Sequence, residues 1–396
     1  MKITHLKVFL LNPGKRVSYG TGWGKNWILV KVYTDEGIDG VGEAFGTGKA
    51  KTTEAAIYEF ERWLKGKDPT EVMRNWQAYY RGSRYPLGTA TMSALSAVEQ
   101  ALWDISGKAC GLPVYKMLGG PFRRKIRVYA SGLVTQPLHF ERDGGTLLES
   151  AKQVVEKGYT AMKFTPQPDD YKRKSPEQIH RDAVERVRSV REAVGPNIDI
   201  CLDYHGRSFS PADAIKLCRE IEHYNPYFIE EPALTEAPES LREVKMKTTI
   251  PVAGGERCIS RDRLKDILRR EALHILQPEP TANGGILETI KWAAMCELFH
   301  VTLAPHHACS PVSLFSCAHI DACVPNFLIQ ECNIDLEEQI VKDCFTGLPV
   351  VENGYLQLPN RPGLGIELNE EAAASYPFKP FDRPVIIQQD DGIGLE

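Results

Sequence analysis

Eight short apolar segments recur between residues 126 and 329, and each of the last six is followed within three residues by an ionisable one. The segments are Ile126–Ala130, Ala161–Phe164, Ile198–Leu202, Tyr227–Ile229, Ile250–Ala253, Leu273–Leu276, Val301–Ala304 and Phe327–Ile329. Helical patterns over 176–194, 211–223, 236–246, 260–270 and 284–298 lie between them. Strands alternating with helices in this number predict a parallel α/β fold, a (β/α) barrel of TIM type. A doubly wound open sheet is the alternative. No GxGxxG follows any strand, which argues against its dinucleotide-binding form.

The first 120 residues read differently. Residues 2–11, 27–34 and 37–45 alternate as strands, with Asp35-Glu36-Gly37 as a turn. Residues 51–64, 69–81 and Thr89–Cys110 have helical spacing, and Gly111-Leu112-Pro113 stops the last. Strands followed by helices predict an α+β unit over 1–120. The Pro-rich tail after about 360 is expected to run back over another part of the molecule.

Composition narrows the function classes. A chain of 396 residues exceeds what one hydrophobic core holds. Apolar residues at 42% and charged residues at 25% exclude a disordered chain. A net charge of −4 without a Lys/Arg block excludes a nucleic-acid partner. Apolar runs such as Trp27–Val30 fall far short of the ~20 residues of a membrane span, so no membrane role is expected. The start, MKITHLKVFL, reads as a strand and not as a signal peptide. The ten Cys lie apart with no CxxC, which fits a reducing, cytoplasmic setting.

In a barrel the C-terminal strand ends line the active site. Read there, the ionisable residues are Asp203, Glu230, Glu256, Glu279, His306 and Glu331, one per βα unit. Asp203, Glu230 and Glu256 on adjacent strands would repel one another unless a cation sits between them. Three hard oxygen donors with room for water or substrate are the pattern of Mg²⁺, with Mn²⁺ the alternative. His205 lies two residues past Asp203 and, on an extended strand end, faces the same way. Glu279 on the neighbouring strand is placed to orient His306 as a base. His307 should face elsewhere.

The segments D-x-H (203–205), IEEP, GGER, QPE, APH and IQE, in this order, resemble the enolase superfamily, mandelate racemase subgroup. Ser96–Gly120 (SAVEQALWDISGKACGLPVYKMLGG) is similar to that family's junction between capping domain and barrel. The resemblance implies an α+β capping domain (1–120), a modified (β/α)₇β barrel (121–360) and a C-terminal segment (361–396) returning to the cap. DYHGR at 203–207 is most similar to galactonate dehydratase-like sugar-acid dehydratases. By motif, Asp203, Glu230 and Glu256 would bind Mg²⁺. His306 would be the base and His205 the general acid. Glu331 would hydrogen-bond the substrate carboxylate, with Lys163 as its electrostatic partner. Substrate contacts would come from Lys163, His205, Glu256, His306 and Glu331, and from Tyr19 and Trp23 in a lid loop, Lys15–Asn26. Arg81–Gly88 would be a second lid.

Two positions depart from the family pattern. Racemases carry a second Lys after strand two where this chain has Thr165, which removes one of two bases. The usual partner of the strand-seven His is Asp, and Glu279 is one methylene longer, which leaves open whether it reaches His306. The reaction implied is loss of water from a sugar acid, an aldonate or aldarate, to give a 2-keto-3-deoxy acid. The alternatives are a racemase or epimerase on the same scaffold and a non-catalytic sugar-acid binder. A homo-oligomer, dimer or octamer, is also implied.

Overall fold

In the computed structural model the described residues are 1–14, 26–46, 49–131, 147–168, 171, 174–208, 210–333 and 336–380. Tyr19 and Trp23 lie outside them.

The N-terminal strands β1 (Ile3–Leu11), β2 (Trp27–Thr34) and β3 (Asp39–Ala44) form an antiparallel sheet in that order. Its central strand is apolar along most of its length because both faces are covered. Ile28, Val30 and Val32 pack with helices α1 (Ala50–Leu64), α2 (Val72–Gly82) and α3 (Thr89–Cys110). Trp27 and Leu29, on the opposite face, join the core of the barrel. The alternation is the two-residue period of a strand.

The barrel strands are β4 (Lys125–Ala130), β5 (Ala161–Phe164), β6 (Asp199–Asp203), β7 (Phe228–Glu230), β8 (Val252–Gly254), β9 (Ile275–Leu276), β10 (Thr302–Leu303) and β11 (Gln330–Cys332). From β4 to β10 each pairs in parallel with the next. β11 pairs in parallel with β4. Leu303 bridges Phe327, and Leu328 N donates to Leu303 O at 2.7 Å, so the ring closes between β10 and β11. A helix follows each of the first seven strands, which gives the (β/α)₇β order. The open-sheet alternative is thereby excluded.

Several barrel helices begin at a serine N-cap followed by proline, as at Ser175-Pro176, Ser210-Pro211 and Ser310-Pro311. The hydroxyl accepts an otherwise unpaired N–H, and proline needs none. Among the described helices of ten or more residues, two have no counterpart in the segments read from sequence, Leu147–Glu156 and Pro311–Cys323. The second is buried on almost every side and so carries no amphipathic stripe.

Inside the barrel one buried layer takes a residue from each strand line, with Tyr129, Phe228, Ile275 and Ile329 set among the smaller Ala161, Cys201, Ala253 and Ala304. Two residues further along, the same inward direction carries Lys163, Asp203, Glu230, Gln277, His306 and Glu331. The polar mouth is thus the next layer above an apolar floor. On β8 that place is Gly255, at φ +119, where a Cβ would lie 2.7 Å from Leu276 Cδ1. Glu256 follows one residue later.

The seam between cap and barrel is polar and buried. Glu99 of α3 accepts from the N–H groups of Ile286 and Leu287 at 2.8 and 2.9 Å, at the start of helix Ile286–Glu297. Glu43 of β3 accepts from Ser310 N, Ser310 Oγ and Ser313 N at the start of helix Pro311–Cys323. Each carboxylate serves as an N-cap supplied from elsewhere in the chain. Asp104 of α3 accepts from Val41 N and Leu364 N, which ties the C-terminal segment to the cap sheet. The Lys31, Tyr33 and Lys7 side chains also meet there at Glu370.

Burial pushes Glu43 and Glu99 up from about 4.5 to about 7. The folded protein holds protons there that the unfolded chain releases above about 4.5. The contribution of these groups to stability therefore falls as pH rises from about 4.5 to about 7. Denaturant unfolding between those values should show that slope, flattened in Glu99→Gln. Glu99→Ala strands buried N–H groups and should cost about 1–3 kcal/mol. An Ala variant as stable as the parent would refute the capping role.

Candidate active site

A lysine is buried among carboxylates at the end of β5. Lys163 Nζ lies 2.7 Å from Glu230 Oε2, 2.9 Å from Glu331 Oε1 and 3.2 Å from Asp203 Oδ2. Its side chain is 2% exposed. Burial disfavours its charge, but the three carboxylates overcome this and hold it protonated well above its ordinary range. The Tyr129 ring supports the ammonium from the floor, 5.5 Å away. Burial, then the Asp203 charge, pushes Glu230 well up.

A second cationic centre faces it. His306 Nδ1 lies 2.6 Å from Glu279 Oε2, and Nε2 lies 3.0 Å from Glu256 Oε2. Glu279 therefore reaches His306 despite its extra methylene. Its other oxygen accepts from Thr281 N at 2.9 Å and Thr281 Oγ1 at 2.6 Å, which fixes the carboxylate behind the ring. Against burial, Glu256 and Glu279 hold His306 protonated well above its ordinary range. Against burial likewise, His306 holds Glu256 well below its own. The cap reaches this centre directly. Phe45 sets its ring edge-on to the imidazole at 5.9 Å, and its N–H donates to Thr281 O at 3.0 Å.

His205 stands beside Asp203, but not by strand alternation. Its φ is +53°, so the chain has left the extended path and turned through the left-handed region. Nδ1 then lies 3.1 Å from Asp203 Oδ1. A non-glycine residue in that region is uncommon and is held by its surroundings. Burial, partly opposed by Asp203, lowers His205 to about 4.

Three further residues are not among the site residues read from sequence, although Glu231 and Arg257 stand in the IEEP and GGER segments. His307 is fully buried, and its N–H donates to Glu331 Oε2 at 3.1 Å. Its ring accepts from Asn333 N and bonds Ser310 O, so it steadies Glu331. Glu231 and Arg257, the second members of the IEEP and GGER pairs, meet at 3.2 Å beside His205. Against these, Thr165 is half-buried and brings no second amine. Arg81–Gly88 lies on the surface, with Tyr85 at 74% exposure.

Asp203, Glu230 and Glu256 offer hard oxygens from adjacent strands, and Asp203 Oδ1 is buried without a hydrogen bond, since His205 Nδ1 at 3.1 Å is not aligned to make one. That donor set fits an oxygen-seeking divalent cation. Among the described residues no three such groups close around one point; Lys163 engages Asp203 and Glu230, and His306 engages Glu256.

Two family models cover this architecture. Residues 4–119 match the mandelate racemase/muconate lactonizing enzyme N-terminal domain, and residues 146–372 match the enolase C-terminal domain-like model. The chain belongs to the enolase superfamily, in its mandelate racemase branch. Its curated relatives include D-galactonate dehydratases from Variovorax paradoxus, 37% identical over 99% of both chains, and from Pectobacterium atrosepticum, 37% identical over 94% of this chain and 93% of that one. A solved enolase from Agrobacterium radiobacter, with bound sodium and L-malate, superposes over the whole of both chains with a TM-score of 0.88 at 28% identity. A mandelate racemase/muconate lactonizing enzyme from Jannaschia gives 0.85 at 32% identity, over 96% of this chain and 98% of that one. No helix among the described residues is long and apolar enough to cross a membrane.

Removal of the central ammonium leaves Asp203, Glu230 and Glu331 buried without compensation. Lys163→Met should lose about 3–5 kcal/mol of stability at neutral pH, read by denaturant unfolding. The loss should shrink on acidification, as the carboxylates take up protons. Equal stability of variant and parent at pH 7 would show that Lys163 does not balance the mouth.

Proposed function

We propose that this chain dehydrates a sugar acid, an aldonate or aldarate of the galactonate class, to a 2-keto-3-deoxy acid, with one Mg²⁺ held by Asp203, Glu230 and Glu256. The observation that carries the reading is the His306–Glu279 contact at 2.6 Å across the mouth from Lys163. It provides one oriented base facing one fixed ammonium. Thr165 in place of a second lysine disfavours a two-base racemase. The D-galactonate dehydratases at 37% identity support the same substrate class.

The C2 proton of a carboxylate is very weakly acidic, and its removal builds a second negative charge on the carboxylate oxygens. A divalent cation bound at the three acids supplies electrostatic stabilisation of that charge. Lys163 adds a fixed positive charge, and Glu331, held by Lys163 and by His307 N–H, positions the substrate carboxylate. Once Glu256 turns from His306 to the cation, the imidazole loses the partner that most favours its charge, and neutral His306 takes the C2 proton at Nε2, with Glu279 stabilising the imidazolium formed. The C3–O bond then breaks. His205 gives its proton to the departing oxygen, which leaves as water. The enol formed tautomerises to the 2-keto-3-deoxy acid. Neutral His205 must gain that proton when anionic substrate lies beside it, the direction in which Asp203 already acts.

In the same reading the chain divides into a capping unit (1–120), a barrel (121–360) and a returning segment (361–396), and Tyr19 and Trp23 contact substrate from the cap. The protein works in the cytoplasm as a homo-oligomer.

Incubation with Mg²⁺ and a panel of aldonic and aldaric acids should yield a 2-keto-3-deoxy product from at least one member. His306→Asn should lose dehydration and C2 proton exchange together, by ~10²–10⁴-fold. His205→Asn should lose dehydration but keep C2 exchange in deuterated water. No product from any acid, with C2 exchange intact, would replace this reading with an epimerase.

A further inference from the structure

We propose that Glu231 and Arg257 form a clamp that fixes His205 and so directs the proton it gives to the leaving hydroxyl. The inference rests on the dehydratase reading for the role of His205, but the clamp itself is geometric. His205 and Gly206 take φ of +53° and +67°, two left-handed residues in a row. Both sides of this turn are tied to the same pair. Arg257 Nη2 donates to His205 O at 3.1 Å. Gly206 N donates to Glu231 O at 2.7 Å.

Glu231 is the nearest carboxylate to Arg257, with Glu236 and Glu256 each at 3.9 Å. Arg257 Nε lies 3.2 Å from Glu231 Oε2, and Thr235 Oγ1 donates to Glu231 Oε1 at 2.6 Å. The Glu231 side chain is 1% exposed, so its carboxylate is placed by these partners and not by solvent. Leu234 packs over the turn so closely that a Cβ on Gly206 would lie 2.5 Å from Leu234 Cδ2. The turn is therefore held from above by packing and from the side by the guanidinium.

The partners of His306 described above are Glu279, Glu256 and Phe45, and Arg257 approaches Glu256 only at 3.9 Å and at Oε1, not at the Oε2 that meets His306. The clamp thus bears on one half of the reaction, bond cleavage at C3, and not on proton removal at C2. Glu231 and Arg257 are positioning residues. A residue that acts by placing an acid can change rate strongly through a displacement of ~1 Å, which costs about 10²-fold.

The test uses Glu231→Gln, Arg257→Gln, Arg257→Lys and the Glu231→Gln/Arg257→Gln double variant of the full-length protein, with Mg²⁺ and D-galactonate or whichever panel acid the parent dehydrates. Dehydration should fall by about 10–10²-fold while C2 exchange in deuterated water stays within about threefold. The double variant should be no worse than the worse single, because the two residues act as a unit. Arg257→Lys keeps the charge but loses the guanidinium fork, and should behave like Arg257→Gln. Independently of activity, the ¹⁵N imidazole resonance of His205, identified by its loss in His205→Asn, should move in each variant while that of His306 stays. Equal loss of exchange and dehydration would overturn the clamp, since the pair would then serve the neighbouring Glu230 and Glu256. An unmoved His205 resonance would overturn it as well. If the parent acts on no acid, the dehydratase reading fails, and the His205 resonance alone decides the clamp.

Discussion

The arrangement depends on the balance of buried charge at the barrel mouth. Asp203, Glu230, Glu256, Glu279 and Glu331 converge above an apolar floor, and such groups cannot share a dry site without cations between them. Lys163 meets three of them and His306 meets the other two. The electrostatic need and the chemical use coincide. The ammonium that neutralises the acids is fixed where a substrate carboxylate would need it. The imidazole held between Glu256 and Glu279 is fixed where a proton would be taken.

The cap is joined to the barrel by the same currency of buried polar groups. Glu43 and Glu99 serve helix starts that belong to the barrel, and Gln100 bonds both Glu43 O and Ser316 Oγ. One of the two served helices follows β10, the strand that delivers His306. Phe45, two residues past Glu43, touches the His306 ring itself. The seam between cap and barrel therefore also sets the surroundings of His306.

Much of this was legible from sequence because strands have a two-residue period and each βα unit has nearly constant length. Those two facts bring Asp203, Glu230, His306 and Glu331 to one level. Strand ends were read slightly early, since an apolar criterion stops before Asp203 and Glu230, whereas their backbones still pair. The turn at His205 was not legible, because nothing in DYHGR distinguishes an extended from a left-handed histidine. Helix Pro311–Cys323 was hidden by being buried all round. Glu43, Glu99 and His307 act through contacts made across more than a hundred residues or through backbone donors, and no local pattern marks them.

In this account Asp203, Glu230 and Glu256 together hold a divalent cation that the charges on Lys163 and His306 do not replace. Calorimetric titration of Mg²⁺ into the parent and into Asp203→Asn, Glu230→Gln and Glu256→Gln tests this without substrate. One site per chain in the parent, lost at the same concentrations in every variant that remains folded, is the predicted result. Unchanged Mg²⁺ affinity in folded variants would contradict the account.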